Sequence, residues 1–307
     1  MRPASVIEPR GPGAATIADL WWLMLGLGGT TFVAVVVVVV LAVRRRASAP
    51  NRDSSRYWML WWGVALPVVV VGIVLVATIG AMRSTTGEAG TGADALRIEV
   101  TGHQWWWNVE YPASGVITAN EVHIPAGQPV ELSLRSADVI HSFWVPALAG
   151  KMDAIPERTN SLVIEASEPG RFEARCAEFC GLQHANMDLT VVAHDPDEFD
   201  AWIEHRRQPA REPSTPVERT GRRLLNGDGC AACHRIDGTS AKGMIGPDLT
   251  HVGARTSLAG GVLEVSRVDL IAWITDPHAS KSGVLMPATE LTDAEIAAIA
   301  TYLESLT

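Results

Sequence analysis

Two long apolar runs open the chain, and short alternating segments and then helical patterns follow them. From Ala18 to Val43 the only charge is Asp19, and Phe32 to Val43 is almost pure valine. At about 1.5 Å per residue this run crosses the roughly 30 Å hydrocarbon layer of a bilayer. A second run, Tyr57 to Met82, carries no charge. Trp21 and Trp22 crowd the start of the first run, and Trp58, Trp61 and Trp62 the start of the second. Tryptophan favours the membrane–water boundary, where its apolar ring and polar N–H are both satisfied. The pattern therefore predicts a two-helix transmembrane hairpin over residues 18–83, after an N-terminal segment, 1–17. A cleaved signal peptide is the competing reading of the first run. It is disfavoured because the basic cluster follows the apolar run instead of preceding it.

That cluster is Arg44, Arg45, Arg46, Arg52 and Arg56. The positive-inside rule puts it in the cytoplasm, so both termini and everything after Arg83 lie outside the cell membrane. Residues 84–95, rich in Gly, Ser and Thr, read as a connector. The period then changes to short alternating segments: Leu96–Thr101, Trp105–Tyr111, Glu121–Ile124, Pro129–Leu134, Ser161–Ala166, Arg171–Arg175 and Asp188–Ala193. Turn residues such as Pro125-Ala126-Gly127 and Pro169-Gly170 separate them. Short strands at this spacing predict a β-sandwich over 96–207, closed by a helix from Pro196 to Arg207. Residues 208–216 hold Pro209, Pro213 and Pro216 and read as a semi-rigid extended linker of about 25–30 Å. The pattern is helical from 217 to 307, with helices at Val217–Leu225, Arg267–Thr275 and Asp293–Leu306. Thr292 is the expected N-cap of the last, with Glu295 as its capping-box partner.

Composition narrows the function. A net charge of −9 argues against a nucleic-acid partner, which needs a basic face. The four cysteines, Cys176, Cys180, Cys230 and Cys233, fall in two tight pairs, each followed closely by a histidine. That favours metal or haem chemistry over disulfide stapling, which a chain of this size does not need.

The segment Cys176-Ala177-Glu178-Phe179-Cys180-Gly181-Leu182-Gln183-His184-Ala185-Asn186-Met187 places two thiols, an imidazole and a thioether on one loop. Soft sulfur ligands with one imidazole per metal select copper. His141, in Val139-Ile140-His141-Ser142-Phe143-Trp144, supplies the second histidine. A local Cys176–Cys180 disulfide and a single zinc are the alternatives; zinc accepts two Cys and two His but leaves Met187 without a role.

On these residues the chain resembles the CuA domain of cytochrome c oxidase subunit II, a cupredoxin fold preceded by a transmembrane hairpin. The resemblance implies that Cys176 and Cys180 bridge two copper ions. His141 and Met187 would complete one, and His184 and the Glu178 carbonyl the other. Gly102-His103-Gln104-Trp105-Trp106-Trp107 matches a second family hallmark, which implies that Trp105 is where electrons enter; for Trp106 and Trp107 core packing is an equal reading. Lys151-Met152-Asp153-Ala154-Ile155-Pro156 matches a third, which implies magnesium near Asp153 and the Glu178 side chain, at a face against subunit I. One departure is visible. A glutamate common in the family near the start of the second transmembrane helix falls, counting back from Pro67, near Leu60, and no carboxylate stands there.

Cys230-Ala231-Ala232-Cys233-His234 is the attachment motif of a c-type haem, with His234 as an axial ligand. A methionine as the other axial ligand raises the potential and closes the open site. Met286 is the leading candidate and Met244 the runner-up. Residues 217–307 resemble a class I cytochrome c, including Gly246-Pro247-Asp248-Leu249, whose proline carbonyl would orient His234. The whole is similar to subunit II of a caa-type oxidase: a multidomain membrane protein with a cupredoxin β-sandwich and an all-α cytochrome c domain. The resemblance implies an electron-transfer subunit of a dioxygen-reducing, proton-pumping enzyme. Its partners would be subunit I, subunit III, membrane lipid and another respiratory-chain donor. Tethering then makes docking of the two metal domains intramolecular, with no strong complementary patch required. The competing functions are a quinol oxidase subunit, disfavoured by the intact copper ligands, copper storage or delivery, which needs no haem, and a membrane-anchored electron-transfer protein serving another reductase.

Overall fold

A computed structural model describes residues 5–44, 57–58, 60–86, 95–227 and 229–307. Arg45, Arg46, Arg52 and Arg56 of the expected cytoplasmic loop, and most of the expected connector, lie outside the described residues. The first helix, α1 (Pro12–Arg44), starts ahead of the apolar run. Proline suits a helix start, where its missing N–H has no partner to lose. Ala14 and Ala18 are buried there, and the Arg10 and Ala14 N–H groups donate to the Ala147 and Leu148 carbonyls. The small residues thus let the beginning of the helix seat on the sandwich, which an apolar count alone does not reveal.

Before the second long helix, α2 (Leu66–Thr86), comes a π-helical turn, Trp61–Ala65, in which the Leu66 N–H donates to the Trp61 carbonyl. Pro67 is the cause. It has no N–H for the carbonyl four residues back and its ring crowds that turn, so the ladder widens locally. Leu60 stands just before this turn and is exposed. Both long helices are apolar enough to cross a membrane, and their apolar windows are unburied by protein.

The sandwich has two five-stranded sheets. One runs β3 (Val116–Ala119), β2 (Trp106–Tyr111), β1 (Leu96–His103), β5 (Val130–Ser136), β8 (Asn160–Ile164). The other runs β4 (Glu121–Pro125), β10 (Asp188–His194), β9 (Gly170–Cys176), β6 (His141–Trp144), β7 (Met152–Ala154). Alternation along β1, β2 and β5 points Ile98, Val100, Trp107, Val109, Leu132 and Leu134 inward, all fully buried. Each such side chain contributes about 1.5–3 kcal/mol of transfer free energy. Strands β3, β6 and β7 were not among the alternating segments, because each is only three or four residues long and their burial pattern does not alternate cleanly.

Helix α3 (Pro196–Arg206) covers the far end of the sandwich. Trp202 stacks on His123 at 4.1 Å between ring centroids, and His123 Nδ1 lies 2.8 Å from His194 Nε2. Burial pushes His123 down, and burial with the neighbouring His123 pulls His194 down to about 4. The unfolded value is about 6.5. Across that window the unfolded chain takes up protons that the folded chain refuses, so stability falls as pH drops from about 6.5 to about 4. The apparent melting temperature should decline through this range; a flat profile would show that the pair does not resist protonation.

The C-terminal residues form a second core. Helix α4 (Pro216–Gly227) crosses α8 (Asp293–Ser305) so closely that a Cβ on Gly221 would meet the Ala298 carbonyl oxygen at 2.1 Å. Between them lie α5 (Cys230–Cys233), the hairpin β11 (Ser257–Leu258) and β12 (Leu263–Glu264), α6 (Arg267–Thr275) and α7 (Pro277–Ser280). The Thr292–Glu295 capping box is formed in both directions. The proline-rich stretch before α4 is not a free spacer. The Ala210 N–H donates to the Asp237 carbonyl, the Arg211 guanidinium donates to the Ser305 carbonyl at 2.8 Å, and Pro209 packs against Gly238. Prolines stiffen the segment, but its polar groups find partners along the helical domain and hold it there.

Candidate copper and haem sites

The copper-type residues converge at one end of the sandwich. Pairing of β6 with β9 puts Phe143 opposite Cys176, which brings His141 beside the loop that follows β9. Donor atoms of His141, Cys176 and Cys180 lie within 4.8 Å of one another, and all three residues are buried. The two sulfurs are 3.7 Å apart and unbonded, well beyond the roughly 2.05 Å of a disulfide. Cys180 Sγ is also 3.7 Å from His184 Nδ1 and 3.7 Å from Met187 Sδ. The Glu178 carbonyl oxygen is 3.2 Å from Cys176 Sγ. Every position expected from the sequence is therefore within one cluster.

His141 shows what the cluster can hold. Its Nε2 is 2.8 Å from an Asp138 carboxylate oxygen, whereas Nδ1 is buried with no close hydrogen bond and only the Cys176 sulfur to interact with. A buried nitrogen left unpaired is costly unless it serves as a ligand, and a carboxylate on the other nitrogen is the usual way to fix a metal-binding imidazole. Burial draws the His141 pKa down, but contacts with Cys176 and Asp138 outweigh it and the net shift is upward. Hydrogen bonding with the Cys180 sulfur holds the Cys176 thiol strongly down, with His141 assisting. A ready thiolate, a soft second sulfur, a thioether and imidazoles fit copper by donor chemistry. Asp138 went unnoticed in the sequence; a carboxylate three residues before a candidate ligand histidine was the signal available.

Asp153 and Glu178 are joined through Lys151, whose Nζ lies 3.5 Å and 3.3 Å from their carboxylates. Among the described residues these two carboxylates are part of no cluster of three or more metal-ligating side chains, and the Lys151 ammonium is the cation beside them.

Around Cys230, Cys233 and His234 opens a cavity of about 450 Å³, mostly apolar, lined by Leu225, Leu249, Trp273, Ile299 and Leu303. The His234 Nδ1–H donates to the Pro247 carbonyl at 2.8 Å, so Nε2 is the nitrogen left for a ligand. Burial lowers the His234 pKa, keeping that nitrogen unprotonated at neutral pH. A Cβ on Gly246 would meet the imidazole at 2.6 Å; only glycine leaves the ring its place. Met286 lines the cavity, whereas Met244 is 56% exposed and does not. A flat apolar porphyrin fits these walls. Met286→Ala should convert a low-spin haem spectrum to high-spin, while Met244→Ala should leave it unchanged; the reverse result would reassign the axial ligand.

The two sites share a wall. Gln104, Trp105 and Trp106 line the cavity beside Cys230 and His234. The Trp105 indole N–H donates to the Cys180 carbonyl at 3.0 Å. Trp107, in contrast, is fully buried core, edge-on to Phe143 at 5.8 Å.

Residues 114–194 match the family described as cytochrome C oxidase subunit II, periplasmic domain, and residues 219–307 match cytochrome c. The cytochrome c oxidase subunit 2 of Alkalihalophilus pseudofirmus is 34% identical over 98% of this chain and 90% of its own. This chain belongs to the cytochrome c oxidase subunit II family. The subunit 2 of Bacillus sp. (strain PS3) is 35% identical over 79% of this chain and 70% of its own. The crystal structure of the periplasmic domain of subunit II of cytochrome oxidase of Bradyrhizobium japonicum is 32% identical, with a TM-score of 0.36, over 36% of this chain and 93% of that one. As a subunit II with a cytochrome c domain, the protein is an oxidoreductase subunit. Its two domain families imply CuA copper and haem, and its two apolar helices make it membrane-anchored.

Proposed function

We propose that this subunit II accepts electrons at a covalently attached c-type haem and delivers them through a binuclear CuA centre to a haem–copper subunit I that reduces dioxygen to water with proton pumping. When bound, the two cofactors supply one-electron redox chemistry. The chain's own residues hold and insulate them. Cys230 and Cys233 would form thioether links, with His234 and Met286 on the iron. Cys176 and Cys180 would bridge the coppers, with His141 and Met187 on one and His184 and the Glu178 carbonyl on the other. Two shared thiolates in a buried, prearranged loop leave little to reorganise when charge changes. Asp138 orients His141, and the Pro247 carbonyl orients His234.

The observation that carries the reading is Trp105: one side chain lines the haem cavity and hydrogen-bonds the backbone of a copper ligand. It touches both sites. By the positive-inside rule this reading takes both metal domains to lie outside the cell membrane, the basic loop in the cytoplasm, and the apolar helices against lipid, subunit I and subunit III. Asp153 and Glu178 would contribute to a magnesium site only with further oxygen donors from subunit I and water. With leucine at position 60, this helix offers no carboxylate for proton entry at that place.

Purification from membranes tests this. The reading expects a many-helix haem protein to accompany this chain, with copper on the subunit and reduced c-type haem reoxidised by dioxygen. Isolation with haem and copper but without that partner, or in company with a different reductase, would favour the anchored electron-transfer protein instead.

A further inference from the structure

The face between the two metal domains carries a buried lysine that neither cofactor needs as a ligand. Lys281 belongs to the haem domain and is only 2% exposed. Its Nζ donates to the Trp105 carbonyl at 2.8 Å, the Asn186 carbonyl at 2.6 Å and the Ala259 carbonyl at 2.7 Å. Two of these acceptors are on the sandwich and one on the haem domain. An ammonium has three donors and no acceptor, and here each donor is used. Burial lowers its pKa to about 8, so it is protonated at neutral pH. Hydrogen bonds from a charged group are the strong ones, and leaving such a group buried and unpaired is expensive. Separating the domains breaks two of the three.

Neighbouring contacts follow the same seam. Gly260, in the left-handed region at φ +71°, has no room for a Cβ, which would meet Lys281 Nζ at 2.8 Å. Its carbonyl accepts from the Asp188 N–H at 2.9 Å. The Gln183 amide donates to the Ser282 carbonyl and hydroxyl at 2.8 and 2.9 Å. Further along, Thr256 donates through its backbone N–H and hydroxyl to the buried Glu121 carboxylate. Trp105 is left 8% exposed under this cover. A domain held only by its tether would not need such matched polar groups.

We propose that Lys281 is a positioning residue that pins the haem domain onto Trp105 and the copper loop, so that this domain stays docked through turnover and closes Trp105 to any outside donor. The inference rests on the electron-transfer reading above. An external donor then reaches the copper centre only through the haem domain.

The test is flash-induced electron transfer in the intact, copper- and haem-loaded oxidase, with amide exchange measured on the same samples. In the wild type, transfer from haem to copper should be independent of viscosity and ionic strength. Lys281→Met should slow it by about tenfold and make it depend on both, because re-docking becomes part of each turnover. Amide exchange at Asp188 should rise, while the haem optical spectrum and the copper EPR signal stay unchanged. Thr256→Val, at the other end of the seam, should produce a smaller viscosity dependence without touching Lys281. If both variants keep the wild-type rate, viscosity independence and exchange, the pin is refuted. No haem-to-copper transfer in the wild type would instead overturn the electron-transfer reading, and the pin with it.

Discussion

Cys176→Ser should abolish the binuclear copper centre and lower oxidase turnover by at least about a hundredfold. The magnitude follows from comparison with weaker perturbations. Losing a group that merely orients a metal ligand costs about 10–100-fold in affinity or activity, and Cys176 would be a direct ligand to both ions. Hydroxyl is a hard donor and does not replace a soft bridging thiolate. The buried cluster would also lose the sulfur that lies 3.7 Å from Cys180 Sγ. The fold itself should survive, because Cys176 contributes little to a core dominated by Trp107, Tyr111, Phe143 and Phe172. Copper content per haem and steady-state dioxygen consumption check the result. A variant that keeps two coppers per haem would show that Cys176 is not a bridge.

Trp105→Leu should slow transfer between haem and copper by about a hundredfold while leaving both metal spectra in place. Leucine keeps the position apolar but empties much of the space between the cavity and the Cys180 carbonyl. Reactions that depend on fixed geometry lose about this much when a connecting group is displaced by an ångström or more. Trp105→Phe separates the two parts of the role. It keeps an aromatic ring against the cavity and loses only the N–H bond to Cys180, which contributes about 1 kcal/mol. Its transfer rate should fall far less than that of the leucine variant. Equal rates in wild type and Trp105→Leu, read by flash photolysis, would remove Trp105 from the path.

What could be seen in the sequence, and what could not, follows from the range of the interactions. The transmembrane runs, the long strands and the haem-domain helices are written in local periodicity, and Arg267–Thr275 appears with the expected ends. The Cys176–Met187 loop and the Cys230–His234 motif carry most of their candidate ligands within a few residues, so both stood out as sites, and the family resemblance then implied copper for the first. His141 was legible because the loop demanded a second imidazole. Short strands such as β6 and β7 have no room for a period. Asp138, Lys281, Gln183 and Thr256 act across the fold, on partners far away in sequence, and nothing nearby marks them. The proline-rich segment illustrates the same limit: its composition specifies stiffness, but only the helical domain supplies the partners that hold it along that domain. Tethering alone made a complementary interface unnecessary, yet Glu121, Thr256 and Lys281 build one.

The central claim is that one buried loop holds two copper ions sharing one electron next to a haem domain. Electron paramagnetic resonance of the purified, oxidised, copper-replete protein tests it most directly. The account predicts a mixed-valence signal with hyperfine splitting distributed over two equivalent copper nuclei, at one such centre per haem. A single-copper signal, or zinc bound at Cys176 and Cys180 with no copper signal at all, would contradict it.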